Sequence, residues 1–386
     1  MTIVTRAPAD RDGDHVARLG DDEFAILVHG HAAVASTPAA RLLSRPESPF
    51  VAGGREILVQ ASVGVVDNDL ARSLQPDDLL RDADLATCLA KSSGKNRVVT
   101  YTAGVDRIVR ERAELASDLH QALSGGQFAV HYQPVIAGTD GRLVGVEALL
   151  RWNHPTRGLV PPMEFIPLAE ETGEIREIGA WVLRTAAAQV AAWQRTIEGC
   201  EQLELAVNLS PVQLRDGDLG EAVLATLLAT SLPAEWLTLE VTETMLLLDL
   251  DRARRHLDVL RTAGVRVAID DFGTGYSSFS YLSTLPADVI KIDQSFVKDL
   301  EVGTGPFVLV QAVIDMARGL RLDIVAEGVE ESGQQAMLNE LGCPHSQGYL
   351  FSPALPPVEF ARFVAAWPAR SAEIVEGYTV PSEIAS

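Results

Sequence analysis

From about residue 120 to residue 350, short apolar runs rich in β-branched residues alternate with longer segments of helical periodicity such as "EIGAWVLRTAAAQVAAWQRTI". This alternation is the pattern of repeated βα units. Eight runs read as strands: "QFAVHYQPVI", "RLVGVEALL", "LELAVNLS", "WLTLEVTE", "VRVAIDD", "DVIKID", "LDIVAEG" and "HSQGYL". Eight strands with intervening helices over about 250 residues have the size and count of a TIM-type (β/α)8 barrel. One connection departs from the scheme. Only "AGTDG" and its neighbours separate the first two runs, whereas a parallel crossover needs about a dozen residues or more. Asp-Gly is a hairpin turn signal, so the first strand is expected to run antiparallel to the second.

In a barrel the C-terminal strand ends converge on one face, where barrel enzymes place their chemistry. The last seven runs end in Glu147, Asn208, Glu240 with Glu243, Asp270 with Asp271, Lys291 with Asp293, Glu327 with Glu330, and Gln347. One polar residue at a strand end marks a strand meeting solvent; a ring this rich in carboxylates points to a site. Oxygen donors without His or Cys select hard divalent cations, Mg²⁺ or Mn²⁺ ahead of zinc. Asp270 and Asp271 are adjacent in "RVAIDDFGTGYSS", and two like charges side by side repel. If each reaches a different cation, with one carboxylate bridging, the repulsion is removed. Paired metals about 3.5 to 4 Å apart are a standard device of phosphoryl hydrolysis. Ca²⁺ is expected to occupy such a ring and to inhibit, because it prefers more ligands and a looser geometry. Lys291 suits either of two roles, holding water or phosphate charge, or pairing with Asp293 or a neighbour. Arg151, four residues past Glu147, offers a bidentate fork to a phosphate oxygen.

The net charge of −21 over 386 residues argues against a duplex nucleic-acid surface. Cys88, Cys200 and Cys343 are far apart without a CxxC pair, which fits a reducing compartment and small core residues. "HGH" at 29 to 31 reads as an exposed turn. No apolar run approaches the ~18 residues of a membrane span, and "MTIVTRAPADRDGD" lacks the apolar middle of a signal peptide. The chain is therefore expected to be cytoplasmic.

The motifs "EALLRW", "NLS", "LEVTE", "DDFGTGYSS", "KID", "AEGVE" and "QGYLF" stand in the order and approximate spacing of the EAL domain, and residues 112 to 365 resemble this bacterial cyclic-di-GMP phosphodiesterase family. The resemblance implies a barrel with an antiparallel first strand and hydrolysis of cyclic-di-GMP to linear pGpG. It implies Glu147, Asn208, Glu240 and Asp270 as ligands of one metal, with Asp270, Asp271 and Glu327 serving a second. It further implies that Lys291 assists the attacking water and that Arg151, Gln347, Glu330 and Gln133 hold substrate or water. Glu243 would anchor the "DFGTGYSS" loop, which in the family couples the metal site to dimerisation, so a homodimer through this domain is expected. One departure lies beyond the ring: "FSPALP" stands where the family usually has Arg-Pro after the aromatic and Ser. The rival readings are a cyclic-di-GMP receptor without turnover, which would show losses in the ring, and a regulatory scaffold.

"ARLGDDEFAILV" and "LLRDADLATCLAKSSGKNRVVTY" resemble the second half of a GGDEF domain, the diguanylate cyclase module that often precedes EAL. The second glycine of that family's turn is Asp21 here, which adds a side chain and a negative charge where backbone should approach nucleotide. The half that carries an upstream metal-binding aspartate is also expected to be missing, so no cyclase activity is expected. "RDGD" at 11 to 14 falls where the family has its product-binding RxxD and reads as a polar loop. The expected division is a partial, degenerate GGDEF-like domain over 1–103, a helical linker over 104–119, the barrel over 120–368 and a C-terminal tail over 369–386.

Overall fold

The computed structural model describes residues 15–20, 23–28, 39–40, 43, 50–52, 55–57, 61–66, 75–94, 96–248, 250–273 and 286–376. The chain forms two compact units, Met1–Leu119 and His120–Ser386. Arg11, Asp14, Asp21, the "HGH" segment, most of the "GTGYSS" loop and the last ten residues lie outside the described residues.

In the first unit the described strands pair two by two. β1 (His15–Arg18) and β2 (Phe24–Leu27) form an antiparallel hairpin flanking "GDDE", β3 (Phe50–Ala52) pairs with β4 (Arg55–Ile57), and β5 (Val63–Val65) runs parallel to β6 (Val98–Thr100). A helix over Pro76–Ser92 connects the last two. Its residues Asp82, Ala83, Ala86, Thr87 and Ala90 are buried, and Gly64 lies under it so closely that a Cβ would meet the Ala83 carbonyl at 2.3 Å. Cys88 sits on the exposed face of this helix, whereas Cys200 and Cys343 are buried. The core expectation therefore holds for two of the three cysteines, because helical periodicity turns position 88 outward.

The second unit is a closed barrel. Its strands are β7 (Phe128–Ala137), β8 (Leu143–His154), β10 (Glu204–Asn208), β11 (Leu237–Thr242), β12 (Arg266–Phe272), β13 (Val289–Ile292), β14 (Asp323–Ala326) and β15 (His345–Ser346). β8 pairs with β10, and every later neighbour is parallel as far as β15. β7 closes the ring and is antiparallel to both β8 and β15. The hairpin turn behaves as its sequence predicts: Gly141 takes φ +67°, and Asp140 accepts from the Arg142 backbone N–H at 3.0 Å. A three-residue strand, β9 (Gly158–Val160), adds to β8 outside the ring, and no alternating pattern announced it.

β7 alternates buried with half-buried positions, the mark of a strand with one face on the helices and the other on the barrel interior. On the helix side Tyr132 is fully buried, edge-on to Trp193 at 4.8 Å, and Phe360 completes the cluster. Burial of each such apolar side chain contributes about 1.5–3 kcal/mol. The helix Ile175–Thr196 presents Ile178, Val182, Ala186 and Val190 inward at helical spacing, and the last helix is tied to the β7–β8 turn by Trp367 Nε1, which donates to the Gly141 carbonyl at 2.7 Å. Among the described residues no helix is long and apolar enough to cross a membrane.

Closure removes every strand edge from the barrel, while each two-stranded sheet of the first unit leaves both edges unpaired by described strands. Native-state hydrogen exchange is expected to show the amides of β5 and β6 exchanging at least ~10-fold faster than those of β11 to β13; equal protection would contradict it.

Candidate active site

The parallel strands end at one mouth of the barrel, and because β7 is reversed, its beginning lies there too. Glu147 comes from β8, Asn208 from β10, Glu240 from β11, Asp270 and Asp271 from β12, Lys291 from β13, Glu327 follows β14 and Gln347 follows β15. The structure thus gathers the predicted ring.

Its centre is Lys291. The side chain is 3% exposed, and Nζ lies 2.7 Å from Glu240 Oε1, 2.7 Å from Glu327 Oε1, 3.3 Å from Asp270 Oδ1 and 3.4 Å from Glu147 Oε2. Nζ is held by the charge of four carboxylates at once, Glu240 and Glu327 being the nearest. Asp293 is not its partner. That carboxylate caps the helix Gln294–Lys298, accepting from the Ser295 N–H at 3.0 Å.

Glu147 is oriented by amides. Oε1 accepts from Asn208 Nδ2 and Oε2 from Gln347 Nε2, both at 2.7 Å. Gln347 Nε2 also donates to Gln133 Oε1 at 3.0 Å, and Gln133 Nε2 donates to the Ser352 carbonyl at 3.2 Å. Gln347 therefore acts first on Glu147, while its own Oε1 is buried without a hydrogen-bond partner. Glu330 lines the same mouth, a cavity of about 240 Å³ that also takes in Gln133, Asp270 and Tyr349. Arg151 is half-buried, donates to the Leu150 carbonyl at 3.0 Å and opens onto an adjoining cavity of about 420 Å³. Glu243 is buried at the start of the helix Glu243–Leu248; its proposed loop lies outside the described residues.

The adjacent aspartates are explained by a defect in the ladder. Ile269 pairs with Ile290 and Phe272 with Ile292, so Asp270 and Asp271 together oppose the single residue Lys291. This is a β-bulge, a device that re-aims a side chain next to a site. Asp271 adopts φ +52°, a left-handed conformation that Asp tolerates better than most residues. Strict alternation would send neighbouring side chains to opposite faces. Instead, ligand oxygens of Asp270, Asp271 and Glu327 lie within 4.8 Å of one another. Gly273 at φ +96° then turns the chain against the Phe296 ring.

The electrostatics record the crowding. Burial and the Glu147 carboxylate push Glu240 well above the usual carboxylate range, and burial with Asp270 and Glu147 nearby pushes Glu327 up to about 8. Burial also raises Asp271, with help from Asp270 and Asp293. Glu147 is the exception: burial raises it, but Lys291, Gln347 and Asn208 hold it below the usual range. Burial alone would lower Lys291, yet the surrounding carboxylates hold it well above the ordinary lysine value. With every carboxylate ionised, five against one ammonium would leave four negative charges, which two divalent cations would balance. Glu240 Oε2 and Asp270 Oδ1 are buried and make no hydrogen bond. An all-oxygen donor set with spare buried lone pairs fits hard divalent cations.

Closed barrel, reversed first strand and carboxylate mouth define an α/β barrel with an acidic site at the C-terminal ends of its parallel strands. Residues 116–354 match the EAL domain and residues 7–97 match the diguanylate cyclase GGDEF domain; the chain belongs to the EAL-domain family and carries a GGDEF region ahead of its barrel. It is 40% identical over 362 residues to the Pseudomonas aeruginosa bifunctional diguanylate cyclase/cyclic di-GMP phosphodiesterase MucR, covering 92% of this chain and 52% of that protein. It is 39% identical to the cyclic di-GMP phosphodiesterase NbdA of the same organism, covering 92% of this chain and 45% of NbdA. The chain thus spans about half the length of these curated relatives. Among solved structures, the MucR phosphodiesterase in complex with c-di-GMP is 43% identical, with a TM-score of 0.61, over 64% of this chain and 99% of that one. The EAL domain of P. aeruginosa FimX bound to c-di-GMP is 29% identical, with a TM-score of 0.56, over 63% and 96%.

The sequence pattern missed Tyr349. "HSQGYL" reads as a strand through Leu350, but the strand is only His345–Ser346 and the chain turns at Gly348, leaving the tyrosine on the rim of the cavity. A Gly-aromatic pair after a strand was the available signal.

Asp271→Asn removes one of the crowded charges and keeps a residue that tolerates φ +52°. In EDTA the variant is expected to melt no lower than the wild type, while its stabilisation by saturating Mg²⁺ shrinks by about 1 kcal/mol or more. Equal Mg²⁺-induced shifts in the two proteins, read by thermal denaturation, would remove Asp271 from the cation site.

Proposed function

We propose that the barrel hydrolyses cyclic-di-GMP to linear pGpG with two Mg²⁺ or Mn²⁺ ions. The observation that carries this reading is the convergence of four carboxylates on the single ammonium of Lys291, with the Asp270–Asp271 bulge adding a fifth beside Asp270 and Glu327. The substrate is suggested by relatives named as cyclic di-GMP phosphodiesterases and by the c-di-GMP complex of MucR. Glu147, Asn208, Glu240 and Asp270 would hold one cation, and Asp270, Asp271 and Glu327 the other. When bound, such a pair stabilises the attacking and leaving oxygens of a phosphodiester displacement.

The chain's own groups do the rest. Lys291 stays protonated among its carboxylates, so it serves as a donor and a fixed charge toward the attacking water or a phosphate oxygen, not as a base. Asn208 and Gln347 fix both oxygens of Glu147, which keeps the ring in register before substrate arrives. Arg151 has guanidinium donors beyond the one given to Leu150 and would take a non-bridging phosphate oxygen. Gln133, Glu330 and the free Oε1 of Gln347 present polar contacts to the ribose and base edges. Glu243, three residues after Glu240, would hold the loop that begins at Gly273, and pairing of two barrels is proposed as the assembly that this loop serves. A receptor without turnover would show losses in the ring, and every ring position is occupied by a competent side chain.

Incubating the full chain with cyclic-di-GMP and Mg²⁺ is expected to yield pGpG by chromatography; bound but intact cyclic-di-GMP would favour the receptor. Asp271→Asn should lower turnover at least ~100-fold, about 2.7 kcal/mol of barrier, with substrate binding changed far less. Ca²⁺ in place of Mg²⁺ should leave little hydrolysis. We further propose that the GGDEF region makes no cyclic-di-GMP, because Asp21 replaces the second turn glycine. GTP-dependent product from the purified protein would refute that.

A further inference from the structure

Beneath the carboxylate ring, the barrel interior is lined by the residue two positions earlier on each parallel strand, since side chains alternate between the two faces. On four neighbouring strands this residue is small: Gly145 on β8, Ala206 on β10, Thr238 on β11 and Ala268 on β12. Bulky branched side chains ordinarily fill such layers of a barrel core. Here a cavity of about 50 Å³ remains, with Glu240, Lys291 and Gln347 above it and the opposite end of the barrel below. Ala206 and Val325 line this interior space and are only half-buried, so a molecule the size of water has room against them.

The cavity is not an apolar void. Arg266 crosses its floor, donating to Glu204 Oε2 at 3.0 Å and pairing with Asp323, and guanidinium donors remain beyond these two contacts. Thr238 stands in the layer above the floor. It is 6% exposed, and among the described residues its hydroxyl has no hydrogen-bond partner. A buried hydroxyl left unpartnered is costly. Cavities lined only by apolar groups stay dry, whereas one with polar partners holds a water in about 10–15 Å³ of such space. We propose that the core beneath the ring is a hydration site, in which about three waters bind the Thr238 hydroxyl and the Glu204–Arg266 floor. The small residues on β8 to β12 then make room for solvent one layer below the site. This assignment needs neither metal nor substrate and is independent of whether the barrel hydrolyses cyclic-di-GMP.

The test is a crystal structure of the full chain at a resolution that orders buried waters, together with thermal melting of the wild type and Thr238→Val. Density for about three waters is expected in the cavity, one of them within hydrogen-bond distance of Thr238 Oγ1. A cavity without water density overturns the proposal. Thr238→Val keeps the shape of the side chain and removes only its hydroxyl. If that hydroxyl anchors water, the variant should melt about 2 °C or more below the wild type. In a dry core the same change removes an unpartnered polar group, and the variant would melt higher; a melting temperature equal to or above that of the wild type therefore overturns the proposal as well. Should the variant not fold, the wild-type density decides alone.

Discussion

One buried ammonium among an excess of carboxylates sets the terms for the rest of this barrel. Lys291 Nζ lies within 3.4 Å of Glu147, Glu240, Asp270 and Glu327, and a single positive charge cannot balance them in a space from which water is largely excluded. Unpaired charge in such surroundings is costly, and burial together with the residual negative charge raises the proton affinity of Glu240 and Glu327 unless cations meet it. Those two carboxylates are also the ones whose proton affinity rises most clearly. The same imbalance that would strain an empty barrel is what would draw cations to the mouth under the proposed reading.

The scaffold supports this arrangement by rigidity. Eight strands closed without an edge leave each ring side chain on a hydrogen-bonded backbone or within two residues of one. Aromatic packing around Tyr132, Trp193 and Phe360 holds the reversed strand β7 against the helices, and Phe128, Trp152 and Phe165 do the same at its beginning. Reversal of β7 has a functional consequence. It brings Gln133 opposite Glu147 in the ladder, so that Gln133 and Gln347 form an amide chain ending on that carboxylate. A site built from seven strand ends thereby gains a contribution from the eighth.

Regularity is broken at the point where chemistry is concentrated. The bulge in β12 sacrifices ladder pairing and places Asp271 in a left-handed conformation. Gly348 is pressed against Val329 to turn the chain after β15. In both places local backbone geometry has given way to the aim of a side chain, the exchange expected where a fold serves a site.

Much of this was readable in the residues themselves. Period-two and period-3.6 patterns located the eight barrel strands, the short "AGTDG" connection foretold the reversed first strand, and polar residues at strand ends named the ring. These signals are local, each resting on a few consecutive side chains and on turn chemistry. Contacts across the ring are not local. The Gln347–Glu147 bond joins residues 200 positions apart, and the choice of Lys291 partners, with Asp293 turned aside to cap a helix, depends on how strands meet after closure. Alternation also argues against adjacent Asp270 and Asp271 serving one point; only the one-residue mismatch between β12 and β13, set by pairing with a neighbour in space, reverses that. The exposed ring of Tyr349 belongs to the same class: the sequence by itself determined that an aromatic follows Gly348, while the packing of Gly348 on Val329 decided that it would face the mouth, because the direction of a side chain beyond a strand end is set by what its backbone packs against.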